Sequence, residues 1–344
     1  MSHQVCDNYR NFTSFSPVFK SIILNSYFDL GLKSADIELR PETGKAYFSF
    51  YQEQCQISDL TAAIHPVTHR DLIDILQELK KSLATRESVR NAIRLMPTWS
   101  NEQDDRVFDD AIDLVSRLWL MLPIGTFRHV IMPGQACISW NDGDGTFQSM
   151  TGKLFQPTIQ KEVLRLDRKF SAFNIEQKAG IKIMWTNNLK DHLCLKDEDT
   201  RLAVFHHASF LTWHRSMTNQ PYAADLLNET MQTLQFLFPE DNRPSRKWFK
   251  KVQADQDLDS GAIQCGQLSL QDRNSAQFSY WHERLSTLQL AFNERVKEKE
   301  ARQWWYDRRW YAVAALAFTV FFGLVQSIEG AVQLLYAVKS GDGD

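Results

Sequence analysis

Trp310–Ile328 reads WYAVAALAFTVFFGLVQSI, 19 residues without a charged side chain in a protein that is 24% charged. At about 1.5 Å per residue, a helix of this length spans roughly 28 Å, close to the ~30 Å hydrocarbon core of a bilayer. Its aliphatic polar side chains are Thr319, Gln326 and Ser327, and two of these sit at its end. A buried helix of a soluble domain is usually shorter and keeps a polar face. The stretch therefore predicts one transmembrane helix. The competing reading is a core helix wrapped by protein.

The flanks favour the membrane. Trp304, Trp305, Tyr306, Trp310 and Tyr311 fall where an aromatic belt meets the headgroups, since their rings are apolar and their N–H or O–H tips want water. Lys297, Lys299, Arg302, Arg308 and Arg309 precede the helix, whereas only Lys339 follows it, with Asp342 and Asp344. By the positive-inside tendency the N-terminal side faces the cytosol. Trp304, Trp305, Arg308, Arg309, Trp310 and Tyr311 are thus the expected interface residues. Glu329 ends the run, and Gly330–Val338 is too short to cross again, so it extends the helix to 338 or lies along the far interface. A polar tail, 339–344, completes a tail-anchored pattern.

Net charge is −3, which implies no broad basic surface and no nucleic-acid partner. Cys6, Cys55, Cys137, Cys194 and Cys265 are odd in number and contain no CxxC. Reduced cytosolic thiols fit this better than disulfides or a zinc site. The N-terminus lacks the charged start and apolar core of a signal peptide. Sequons at Asn11 and Asn228 would carry glycans only on the lumenal side of a membrane.

Working back along the chain, residues 1–238 predict an α+β domain. Phe19–Gly31 has a short amphipathic character. Ile37–Tyr51 reads as two strands about the turn PETGK, because Tyr47, Phe48, Phe50 and Tyr51 are strong strand formers. Thr68–Asp71 is a capping box, followed by Leu72, Ile75, Leu76, Leu79 and Leu83 at helical spacing. A helix over 87–96 and a second capping box at Ser100–Gln103 come next. Val107, Phe108, Ala111, Ile112, Val115, Leu118 and Trp119 then form a broad stripe ended by Pro123. FRHVIM and ACISW read as short strands, and NDGDG (141–145) as a hairpin turn. The Asp spacing there faintly matches a calcium loop, but position twelve from Asp142 is Lys153, not a closing Glu. Further helices are expected over 158–168 and 222–237, a strand at IKIMW (181–185), and a buried helix or strand–helix junction over 200–214.

Residues 239–277 read as a polar linker. From 278 to 309 a stem helix is expected, with Phe278, Trp281, Leu285, Leu288, Phe292 and Val296 as a heptad seam. Docking onto the protein's own core is preferred to pairing with a second copy, though a homo-oligomer through the stem stays open.

Catalytic signatures are sparse. GxSxG, GxxxxGK[ST], GxGxxG and HExxH are all absent. His192, His206, His207 and His214 are the densest histidine group. Asp191 beside His192 would suit a general acid/base pair, which makes Asp191, His192, His206 and His207 the catalytic candidates. Ordinary hydrogen-bonded histidines are the preferred reading. No cofactor or metal is implied.

Trp185–Leu211 (WTNNLKDHLCLKDEDTRLAVFHHASFL) and Gln303–Ala331 (QWWYDRRWYAVAALAFTVFFGLVQSIEGA) together resemble a group of uncharacterised fungal proteins. These share an N-L-x-D-H-L segment and one C-terminal transmembrane helix preceded by WWYDRR. The resemblance implies topology and no activity. A long helix entering the membrane also looks similar to the stem of CorA-type magnesium channels, but the second membrane helix and Gly-Met-Asn loop of that family are missing.

The sequence thus predicts a mainly α-helical domain with a minor β part, and a stem helix running into a single transmembrane helix. The expected function is a non-enzymatic interaction or scaffold role at a lipid bilayer. The alternatives are a membrane-tethered enzyme acting on an apolar substrate, and a subunit of an ion-transport assembly with Glu329 near its pore.

Overall fold

The computed structural model describes residues 15–40, 42–61, 67–99, 104–125, 137–158, 170–266 and 278–341. Two compact units divide the chain, Met1–Leu290 and Ala291–Asp344. The architecture is mainly helical with one small mixed sheet.

The first unit is built around a helix that is buried on every side. α6 (Asp105–Leu120) has no exposed residue from Ala111 to Leu120. α3 (Lys45–Thr61), α4 (His69–Leu79) and α5 (Arg86–Arg94) pack against it. Thr68 caps α4 in the expected capping box, accepting from Asp71 N–H while the Asp71 carboxylate accepts from Thr68 N–H. Leu72, Ile75, Leu76 and Leu79 are buried as their spacing predicts. Leu83 is 80% exposed, because α4 has already ended and the apolar spacing no longer acts. The cap of α6 is Asp104, which accepts from Arg106 N–H. The predicted box at 100–103 lies outside the described residues.

The two strands expected over Ile37–Tyr51 are instead helices, α2 (Ser34–Leu39) and α3. Strand geometry would send alternate rings to solvent, yet Tyr47, Phe48, Phe50 and Tyr51 are all buried. Helical spacing lets one element deliver all four to the core. Tyr47 Oη donates to Leu118 O at 3.0 Å, and Tyr51 Oη meets His69 Nδ1 at 2.9 Å. α1 (Pro17–Phe28) adds Phe28, whose ring lies 5.2 Å from that of Tyr47. Aromatic strand propensity yields here to tertiary burial.

ACISW is also not a strand, since Ile138 makes only an isolated bridge to Ile124. FRHVIM lies outside the described residues, as does nearly all of 158–168. NDGDG does turn the chain, with Asp144 N–H donating to Asn141 O at 3.0 Å. It leads into a helix and not a second strand. Thr146 caps α7 (Phe147–Leu154), accepting from Ser149 N–H. The calcium-like Asp142 is spent on Arg90, 3.2 Å away.

Arg86 and Arg90 of α5 form a network with Asp109 and Asp113 of α6. Arg86 Nη1 reaches Asp113 Oδ1 at 2.7 Å, and Asp109 Oδ1 lies 3.0 Å from Arg86 Nε and 2.9 Å from Arg90 Nη2. Gly125 closes over Asp113 with φ +94°, and a Cβ there would sit 2.2 Å from Asp113 Oδ2. Gly125→Ala is therefore expected to cost on the order of 2–3 kcal/mol, from a left-handed backbone and overpacking together. Urea unfolding of the full chain in detergent measures it, and an unchanged midpoint contradicts this packing.

The sheet has the order β1-β3-β2. β1 (Lys182–Thr186) runs parallel to β3 (Arg201–Phe205), with Thr186 opposite Phe205. β2 (Leu195–Lys196) pairs antiparallel with β3. β1 and the strand–helix junction follow the sequence reading: β3 passes through His206 and His207 into α9 (Ala208–Ser216). Before β1 lies a short helical turn, α8 (Ala172–Asn174). α10 (Ala224–Leu237) matches its expected span within two residues.

The stretch 239–277, which the sequence predicts as a polar linker or loop, is helical in part, and residues 267–277 lie outside the described residues. It carries α11 (Arg243–Asp255), capped by Asn242 with a proline in its first turn. Phe249 is fully buried, 5.3 Å from the Phe238 ring and 5.8 Å from that of Trp185. Trp248 Nε1 donates to Glu176 Oε1 at 3.2 Å. Two aromatic anchors hold a helix whose remaining surface is polar, so its composition resembles a loop.

The last helix, α12, spans His282–Gly341. Its entry is fastened within the first unit. The Glu229 carboxylate of α10 accepts from Ser279 and Tyr280 N–H at 2.5 and 2.7 Å, satisfying donors ahead of the helix. Trp281 Nε1 donates to Thr230 Oγ1 at 2.9 Å, and Arg284 Nη1 donates to the carbonyls of Lys190 and His192. Phe278, Trp281, Leu285 and Leu288 are buried, so this part of the seam docks on the protein's own core.

Candidate functional site

The parallel pairing of β1 and β3 ends both strands at one edge. The chain leaves β1 as Asn187-Asn188 and leaves β3 as His206-His207. In α/β architectures, ligands collect at the carboxyl ends of parallel strands. A cleft of about 210 Å³ opens here, lined by Phe50, Glu53 and Gln54 of α3, by Arg117, Met121, Leu122 and Pro123, and by Trp185–Asn188.

A relay of side chains supports its mouth. His207 Nε2 meets Asn187 Oδ1 at 2.8 Å, and Asn187 Nδ2 donates to Glu53 Oε2 at 3.4 Å. With the amide so oriented, the His207 Nε2 proton points at Asn187. Partial burial pushes the Glu53 carboxyl up, and the Asn187 amide pulls it back. His206 stacks on His207 with ring centroids 4.0 Å apart, and its Nδ1 accepts from Asp259 N–H at 3.2 Å. Asp259 in turn accepts from Ser209 N–H and Oγ and from Gly261 N–H. The rings of His206 and His207 are both buried, and burial holds both in the neutral form.

Asp191 and His192 do not work on each other. Asp191 Oδ2 pairs with Lys196 Nζ at 3.0 Å. His192 is fully buried, its Nε2 2.6 Å from Thr233 Oγ1 and its Nδ1 accepting from Phe205 N–H at 3.2 Å. His214 Nε2 lies 2.9 Å from Trp119 O. The structure therefore places His207 behind the cleft, against Asn187, with His206 stacked on it, and places Asp191 and His192 elsewhere. Asn188-Leu189-Lys190-Asp191-His192-Leu193, the N-L-x-D-H-L segment, has a structural explanation: Asn188 Oδ1 caps a 3-10 turn, Leu189 and Leu193 are buried, and His192 ties that turn to β3 and α10. Glu53 and Asn187 were missed by sequence reading. Their elements lie 134 residues apart, and no local pattern joins them.

Among the described residues, no group of three or more His, Cys, Asp or Glu is placed to hold a metal ion. Cys194 and Cys265 are free thiols whose burial raises them, Cys265 to about 12, so neither is a ready nucleophile.

The second unit contains the apolar stretch. From Trp310 to Ile328 every side chain is exposed except Ala314, which is intermediate. Trp304, Trp305, Trp310 and Tyr311 are 55–74% exposed, and Arg308 stands 4.8 Å over the Trp304 ring. This helix is long and apolar enough to cross a membrane, and no part of its most apolar window is covered by protein.

Fold and site together define a mainly α-helical protein with a small mixed sheet and a C-terminal candidate membrane helix. Comparison with protein-family models, curated proteins and solved structures finds no match.

Proposed function

We propose that this protein is a non-enzymatic interaction module, a folded domain held at a bilayer by one helix. The bare apolar surface of α12 carries the reading. Nine Val, Leu, Ile and Phe side chains lie between Trp310 and Ile328. At about 1.5–3 kcal/mol each, covering them is worth on the order of 10–25 kcal/mol, as much as a domain's whole stability. Lipid supplies that cover. The aromatic residues at 304–311 sit at headgroup depth, and the basic excess at 297–309 turns the domain to the cytosol.

The histidines support a non-catalytic role. His192 and His214 are used inside the core, and His206 and His207 brace the cleft from behind.

Alkaline extraction of membranes tests the anchor. The full chain is expected in the pellet. Val320→Lys with Phe321→Lys adds about 5–7 kcal/mol at mid-membrane and is expected to release it. If a chain lacking 310–344 stays in the pellet, the anchor lies elsewhere. Endoglycosidase treatment is expected to leave the protein's mobility unchanged, and a glycan at Asn228 would put the domain on the other side.

A further inference from the structure

We propose that the cleft at the carboxyl end of β1 binds a small organic cation, an alkylammonium or alkylguanidinium compound, through Glu53 against the rings of Trp185 and Phe50. This does not rest on the membrane reading, since every residue involved belongs to the first unit.

The electrostatics select the charge. Glu53 stands at the cleft mouth with no basic side chain paired to it among the described residues. Its described partner is a neutral amide, Asn187. An exposed carboxylate without a basic partner, at the rim of a cleft, favours a cation. The other charge in the wall, the Arg117 guanidinium, is buried, donates to Ile124 O at 2.9 Å and lies in the field of Asp113 and Asp110. Among the described residues no ion pair joins it to Glu53.

The shape selects the size. At about 210 Å³ the cleft admits a molecule of some ten heavy atoms and excludes a peptide helix. Trp185 and Phe50 supply aromatic surface, on which an ammonium or guanidinium group gains a cation–π term. Met121, Leu122 and Pro123 offer an apolar wall for a short methylene chain. Gln54 is 7% exposed with its Oε1 unpartnered, so the wall beside Glu53 also holds an unused acceptor.

The site is pre-organised. His207 is fixed in the core and holds Asn187, and Asn187 holds Glu53. That bond orients one oxygen of the carboxylate toward Asn187 before a ligand arrives.

The test is calorimetric titration of the full chain in lipid nanodiscs with agmatine, and with butylurea as an uncharged analogue. Saturable agmatine binding with Kd of about 1 mM or tighter is expected, and at least tenfold weaker binding of butylurea. Glu53→Gln keeps the side-chain shape and is expected to weaken agmatine at least tenfold. Glu42→Gln, an exposed carboxylate of the same unit outside the cleft, is expected to change nothing. No saturable binding to the wild type overturns the proposal. So does equal binding of the two ligands, a comparison that needs no variant to fold. Undiminished binding to a folded Glu53→Gln protein overturns it as well.

Discussion

Acidifying the protein from pH 7 to pH 4.5 is expected to unfold its first unit. Five of its buried imidazoles bear on this: His69, His192, His206, His207 and His214. Burial lowers them all, His69 to about 4 and His192, His206 and His214 to about 3, while His207 falls well below its ordinary value. The folded state thus binds fewer protons than the unfolded chain once the pH drops below about 6.5. Stability rises with pH where the unfolded state holds more protons, so the neutral rings stabilise fully above that value and lose their contribution as pH falls toward 3–4. One such ring forfeits about 2.7 kcal/mol between pH 6.5 and 4.5. Two rings would already cost about 5 kcal/mol, within reach of a typical domain's total. Asp113, Glu229 and Asp259 act in the opposite sense, because burial raises each and acid relieves that cost. Their hydrogen bonds and ion pairs already pull them part of the way back, so the histidines prevail. Circular dichroism melts of the full chain in detergent, from pH 7.5 to 4.5, would show Tm falling steeply below pH 6.5. A flat Tm across that range would remove the argument.

The second large effect is expected from Arg86→Ala. Arg86 is 7% exposed and is the closest partner of the Asp113 carboxylate, which burial pushes up and Arg86 only partly pulls back. Removing the guanidinium leaves that carboxylate buried beside Asp109 with only the field of Arg117 to offset it, which costs about 3–5 kcal/mol. Asp109 keeps Arg90, so the loss centres on Asp113. Arg86→Met with Asp113→Asn removes both charges and is expected to recover more than 1 kcal/mol of the loss. Denaturant unfolding of the three proteins decides it, and a double variant no better than Arg86→Ala would show that the ion pair is not the source.

Much of the helical framework was legible locally. Thr68 and Asp71 announce α4, and the stripe from Phe108 to Trp119 announces α6, because caps and 3.6-residue periodicity are short-range properties. The failures share a cause. Tyr47, Phe48, Phe50 and Tyr51 carry strand propensity, but four rings that must all be buried are served by a helix. Arg243–Asp255 looks like a loop because Trp248 and Phe249 are its main apolar anchors and the rest of its surface is polar. Neither case can be judged without the surface on the other side.

The candidate site was half visible. His206 and His207 stand out as a pair, yet their position beside Glu53 and Asn187 depends on the parallel register of β1 with β3 and on where α3 lies. By itself the sequence determined the uncharged run near the carboxyl end, its aromatic and basic flank, and the helical character of the protein, since each is a matter of composition and spacing. Only the tertiary structure decided which histidines are spent in the core, which carboxylate faces an open cleft, and that protein leaves the apolar stretch of α12 from Trp310 to Ile328 uncovered. Burial and charge pairing are set by residues distant in the chain, and no local pattern encodes them.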